Sequence, residues 1–152
     1  MFGIARTAFC AVVIAATPLL AGSAQAGEAH LSMTPFKLVL NAQGQFEDVE
    51  GNFIVGLPGA IDSFAFQLYL EDVLVSDAYA VRYCVIDDVL SVSFDRTALQ
   101  ANPDVQALAG LVVEARVDGS VSVFDGDDTT EIFLFGYDEM EIVNPGLVGP
   151  NR

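Results

Sequence analysis

The chain has no tryptophan, a single histidine, two cysteines, and six basic residues against 21 acidic ones. Each scarcity closes off a class of chemistry. Acyl transfer from a serine or cysteine nucleophile needs a general base beside it, and His30 is the only histidine. Lys37 is the only lysine, so Schiff-base chemistry has almost no raw material. The arginines stand singly along the chain, and neither a G-x-x-x-x-G-K-[ST] nor a G-x-G-x-x-G run occurs. A four-coordinate zinc site would have to be completed by carboxylates. Sugar-cleaving sites draw on paired acids and stacking aromatics, and the largest stacking side chain is missing here.

Long apolar runs are missing too, with one exception at the N-terminus. After Arg6 an apolar stretch runs from Thr7 to Gly22, followed by Ser23-Ala24-Gln25-Ala26. A charge, an apolar core and small residues at the A-x-A positions, in that order, mark a cleavable export signal over residues 1–26. At about 16 residues, interrupted by Pro18, the stretch falls short of the roughly 20 needed to span a bilayer. Cys10 lies near the start of the apolar core behind a bulky Phe9, the wrong place for a lipidation site. Cleavage would release Gly27–Arg152 as one exported domain, periplasmic or secreted, with no transmembrane segment. Cys10 would leave with the signal, so Cys84 would have no partner for an intramolecular disulfide. It lies in an alternating apolar run, where a buried strand position is expected.

The charge balance is the most unusual global property. A formal net charge of −15 repels nucleic acid and anionic lipid and attracts cations and basic partners. The mature part is long enough for one self-sufficient core, and a hydrophobic fraction of 53% argues against disorder.

Period-two alternation dominates that part. Phe36, Leu38 and Leu40 form one such face, and Phe64, Phe66, Leu68 and Leu70 a second. Tyr79–Ile86 and Val89–Phe94 read as two strands joined through Asp87-Asp88. Leu57-Pro58-Gly59 reads as a turn. Asp118-Gly119 between Leu111–Val117 and Ser120–Phe124 predicts a hairpin closed by a type I′ turn. Asp125–Asp128 predicts a further turn into Thr129–Tyr137, with Asp138–Val143 as an added edge strand. One short helix is expected near 97–110: Asp95 or Thr97 can cap a turn through Gln100, and Asn102 then serves as N-cap, with Pro103 at the first helical position and Gly110 as its stop. Residues 27–34 and 145–152 read as loose ends. The expectation is a mainly β fold, an antiparallel sandwich or barrel-like domain of about seven to nine short strands.

Carboxylates are the one abundant reactive group. Asp125, Asp127, Asp128 and Glu131 crowd a single turn, and calcium takes six to eight oxygens from such loops. Their spacing does not match the twelve-residue helix-loop-helix pattern, and acids also populate turns simply because turns face water. Glu47, Asp48 and Glu50, and Asp138, Glu139 and Glu141, form two further acidic groups. Arg82 and Arg116 fall on polar strand faces, Arg116 with Glu114 and Asp118, where cross-strand or same-face ion pairs are expected.

With so little catalytic material, the sequence points to a non-enzymatic exported domain acting in binding or envelope assembly, its partner a protein or envelope component. A calcium-binding module through residues 125–131 and a carboxylate-based hydrolase are the alternatives; calcium is the only cofactor in view. The export reading makes a direct prediction. The intact mass of the product released from the cytoplasm should place its N-terminus at Gly27, and a product retaining Phe9–Leu20 would refute it.

Overall fold

The computed structural model describes residues 26–40 and 48–144. The expected signal up to Gln25, the tail from residue 145 and Glu47 lie outside the described residues. In chain order the strands are β1 (Ala26–Glu28), β2 (His30–Thr34), β3 (Lys37–Val39), β4 (Val49–Ile54), β5 (Ala60–Leu70), β6 (Val73–Asp77), β7 (Ala80–Cys84) and β8 (Val89–Phe94). Two short helices follow, α1 (Arg96–Ala101) and α2 (Pro103–Gln106), then the long strands β9 (Val112–Phe124) and β10 (Thr129–Val143).

One sheet has the order β1-β10-β9-β5-β6, with β3 also on β10, and the other the order β2-β4-β8-β7. The expectation of a mainly β, antiparallel architecture holds, and it takes the form of a sandwich rather than a closed barrel. The exceptions to antiparallel pairing are β1 and β3, which lie parallel to β10 at Phe133–Phe135 and Glu141–Val143.

The core follows from alternation. Phe66, Leu68 and Leu70 of β5, Val113 to Val123 at alternate positions of β9, and Leu134, Met140 and Ile142 of β10 are buried from the first sheet. Leu31, Met33, Val49, Phe53, Leu90, Val92 and Phe94 meet them from the second. Each fully buried side chain of this size contributes about 1.5–3 kcal/mol. The Phe53 and Phe66 rings meet across the two sheets with centroids 5.9 Å apart.

Between β1 and β3 the chain leaves the edge of β10 to serve as β2 in the opposite sheet. Hydrogen bonds from Ala29 N to Phe135 O and from Glu141 N to Phe36 O mark where it departs and returns. In the gap, Asp138 replaces the missing backbone acceptor: its Oδ2 takes the Met33 N–H at 2.7 Å. Left unpaired, a buried N–H of this kind would cost about 1–3 kcal/mol.

Several local expectations are corrected. Asp118-Gly119 is not a turn: β9 passes straight through it, flanked by Gln67 and Phe66 of β5 and by Phe135 and Leu134 of β10. The hairpin closes instead at Asp125–Asp128, where Asp125 N bonds Asp128 O at 3.2 Å. Asp138–Val143 likewise continues β10 as one strand and is no separate edge strand. Residues 27–34 are not loose, since they supply most of β1 and all of β2, with Leu31 and Met33 in the core. Cys84 is half-buried and pairs with Val89 at the end of edge strand β7, rather than lying in the core.

The single helix becomes two. Asn102 caps α2 through its bond from Asp104 N at 2.8 Å, as expected, but its own backbone is extended at ψ 123°. Proline at 103 disfavours the helical region for the residue before it, so α1 cannot run on into α2. The turns beyond α2 end at Gly110, which has φ +89°.

Gly119 is required by close approach rather than by turn geometry. A Cβ there would strike the Ala65 carbonyl oxygen and come within 2.6 Å of Phe66 Cα. Gly119→Ala should therefore destabilise by about 1–3 kcal/mol, the range for overpacking. Gly119→Asn should be at least as costly. A type I′ turn would tolerate Asn, so chemical denaturation showing Asn near wild-type stability would restore the turn.

Candidate functional site

The acidic turn has a definite internal structure. Asp125 Oδ1 accepts the backbone N–H of Asp127 at 2.9 Å and of Asp128 at 3.0 Å. These bonds to Asp128 and Asp127 hold the Asp125 carboxyl below its ordinary value, because they favour the ionised form. Glu131 is drawn elsewhere, its Oε2 accepting the Ser120 hydroxyl at 2.9 Å on the outer face of the sheet. Of the four expected calcium ligands, Asp125 thus organises its own turn, Glu131 serves the sheet, and Asp127 and Asp128 lie exposed. Among the described residues, no three His, Cys, Asp or Glu side chains are grouped so as to hold a metal ion.

The other acidic groups are also engaged. Asp48 accepts the Tyr79 hydroxyl, Glu50 lies 3.8 Å from Arg82, and Glu141 lies 3.8 Å from Lys37. Arg116 reaches Asp72 at 3.4 Å and Asp118 at 3.6 Å, and its guanidinium lies 4.1 Å from the centre of the Tyr69 ring. Arg82 and Arg116 thus both take part in ion pairs, Arg116 with Asp118 along one face of β9 and Arg82 with Glu50 across the intervening strand β8. At such exposure each contributes at most about 1 kcal/mol.

A shallow depression of about 410 Å³ holds Asp77 and Asp118 among Phe64, Ala65, Phe66 and Gln67. It brings two carboxylates to one depression. Gln67 Nε2 already donates to Asp77 at 3.3 Å, and Arg116 sits beside Asp118. Cys84 and His30 occupy opposite edge strands of the second sheet, joined through Ile54 and Val89 in register. Three strand spacings put roughly 14 Å between their backbones, and the Cys84 sulfur lies 3.5 Å from the Asp87 carboxylate.

The most distinctive surface lies at one end of the sandwich, where three connections meet. The first is the β4–β5 loop, Val55–Gly59. The second is the β7–β8 turn, Val85–Asp88, and the third is the acidic β9–β10 turn. A depression of about 490 Å³ opens between the first two, lined by Leu57, Pro58, Gly59, Ala60, Ile61, Tyr83 and Val85. Beside it Ile86 is 93% and Val85 75% exposed, with Ile54 and Phe124 also largely in water. Gly59 packs against the backbone of Phe124 and Asp125, so the third connection is continuous with the other two.

Hydrogen bonds hold these loops to one another. The Tyr83 hydroxyl accepts Leu57 N–H at 3.0 Å and donates to Asp88 Oδ1 at 2.8 Å. Val55 N bonds Asp88 O at 2.9 Å. Burial is the main cause that raises the Tyr83 phenol above its ordinary value, which keeps it a donor at any physiological pH. Asp88 completes the turn with φ 54°, a region Asp enters more readily than β-branched residues.

Sequence reasoning placed Val85 and Ile86 inside a strand because they continue the alternation of β7. The signal that could have excluded them is Asp87-Asp88: a two-strand hairpin needs its turn residues somewhere, and these two apolar positions supply half of it. Comparison with protein-family models, with curated proteins and with solved structures finds no match to this chain.

The Asp125 geometry carries a pH prediction. A carboxyl whose folded value is depressed contributes stability that is present above its unfolded value and is lost as pH falls through the folded one. Asp125→Ala should lower the melting temperature at neutral pH, and the gap to wild type should begin to narrow at the ordinary aspartate range and close as pH falls below it. A gap that stays constant with acidification would show that the ionised carboxylate is not what holds the turn.

Proposed function

We propose that the protein is a non-enzymatic exported binding domain, periplasmic or secreted, that docks a protein or envelope component through the loop end of its sandwich. The observation that carries this reading is the exposure of Val85 and Ile86 side by side beside an apolar depression. A single exposed apolar residue needs no explanation, but a contiguous group at a loop cluster is the mark of a contact surface. Two adjacent β-branched side chains at a hairpin tip do nothing for the fold, since polar turn residues would serve it better.

Three further features support the reading. The loops are pre-ordered by the Tyr83 and Asp88 bonds, which lowers the conformational cost of binding. Function concentrated in loops on a rigid scaffold is the common arrangement. The catalytic alternatives have weaker support: the histidine and cysteine lie far apart, and Asp77 and Asp118 in the depression beside Phe66 both have partners.

The test is site-specific crosslinking in the cell that makes the protein. A photoreactive residue replacing Ile86 should give a discrete adduct, whereas the same residue at Glu139, on the outer face of the first sheet, should not. Equal adducts from both positions, or none from position 86, would remove the loop end as the docking surface.

A further inference from the structure

The chemistry around the apolar tip specifies its occupant, resting on the docking role proposed above for that end. Val55–Asp62, Val85–Asp88 and Phe124–Thr129 together carry no lysine, arginine or histidine, and every charged residue in them is an aspartate. Asp87, Asp88, Asp125, Asp127 and Asp128 are all exposed. They stand beside Val85, Ile86 and Phe124, so apolar area and negative charge are presented on the same small surface. The Asp125 oxygen is committed to its own turn, whereas no hydrogen bond places the carboxylates of Asp127 and Asp128 within the fold.

We propose that this end binds a cationic, apolar polypeptide segment, one that presents Leu-like and Lys- or Arg-like side chains together. The apolar side chains of the segment cover Val85, Ile86 and the depression beside Leu57 and Tyr83, and its basic groups face the aspartate rim. Electrostatic complementarity of this kind speeds encounter and rejects wrong partners more than it deepens affinity. It also selects among the possible occupants. A second copy would bring the same rim of aspartates and the same net charge of −15 against this one, and an anionic membrane would repel it equally. A basic segment meets neither obstacle.

The test uses the protein as released from the cell and two labelled probes, a short peptide of alternating Lys and Leu and its Glu-Leu counterpart. The Lys-Leu peptide should bind and the Glu-Leu peptide should not. Val85→Ser with Ile86→Ser should weaken binding at least tenfold, with the melting curve unchanged because both side chains already stand in water. Asp87→Asn, Asp127→Asn and Asp128→Asn together should weaken it at least fivefold at low salt and flatten its salt dependence. Glu114→Gln with Glu139→Gln, which removes two charges from the outer face of the first sheet, should change it less than twofold.

Three outcomes would overturn the proposal. One is binding of the Glu-Leu peptide as tightly as the Lys-Leu peptide. Another is equal loss from the tip and outer-face charge variants, which would mean unspecific attraction to an acidic protein. The last is flotation with uncharged phosphatidylcholine vesicles that depends on Val85 and Ile86 while neither peptide binds. A crosslink from position 86 combined with any of these would leave the docking surface standing and remove only its cationic specificity.

Discussion

The β9–β10 ladder is the interaction on which the rest of the sandwich depends. Register pairing runs unbroken from Phe124 opposite Thr129 to Val112 opposite Glu141. On one flank β9 takes β5 along its length, and on the other β10 receives β1 at Phe133–Phe135 and β3 at its C-terminal end. A ladder that long needs relief where other chain segments come close. Gly119 and Gly136 provide it: Phe66 of the neighbouring strand β5 lies over the first, and Leu31 and Phe53 of the opposing sheet lie over the second. The inter-sheet ring contact of Phe53 and Phe66 therefore occupies the space those missing side chains leave. The same ladder fixes one part of the loop end, because the turn that closes it is the acidic turn next to Phe124.

This constraint explains which parts of the fold were legible in the sequence. Alternation in Phe64–Leu70 and Val89–Phe94 reports on one face being buried, a property local enough to read directly. The caps Asp95 and Asn102 are local as well: each side chain bonds backbone N–H groups two or three residues on. Asp118-Gly119 was not legible, because the pair has the chemistry of a turn and the chain's path there is decided by strands from distant parts of the sequence. With β5 and β10 both paired to β9 at that point, turning would sacrifice two ladders at once. Residues 27–34 were illegible for a related reason. Their polar outer side chains look like those of a loose end, and their place depends on partners elsewhere in the chain, β10 for β1 and β4 for β2.

The candidate site was half legible. Leu57-Pro58-Gly59, Asp87-Asp88 and Asp125–Asp128 all stood out as turns, and they are the connections that meet at the loop end. Their meeting was not visible, since it requires knowing that the two sheets bring those turns to one side. Val85 and Ile86 were hidden for a sharper reason: apolar alternation is the signature of a strand, and here the same pattern runs past the end of β7 into exposed turn positions. The acidic turn shows the opposite case. Sequence crowding placed Glu131 with Asp125, but strand alternation sends Glu131 to the outer sheet face, where it meets Ser120.

Acidity and apolar exposure are better understood together than apart. An apolar tip on a neutral domain would favour self-association, the hazard that exposed patches carry. A ring of aspartates raises the cost of bringing two such tips together, because every approach that buries apolar area also compresses like charge. The edges of the sheets show the same economy: Asp72 and Asp77 bracket β6, where Val73 and Leu74 are exposed on an edge strand, and charge at an edge discourages further pairing. The Tyr83 hydroxyl then links the two requirements. It accepts from the apolar loop through Leu57 and donates to the acidic turn through Asp88, so the surface that would take up apolar side chains and the charge that would choose among them are held in one fixed relation before any partner arrives.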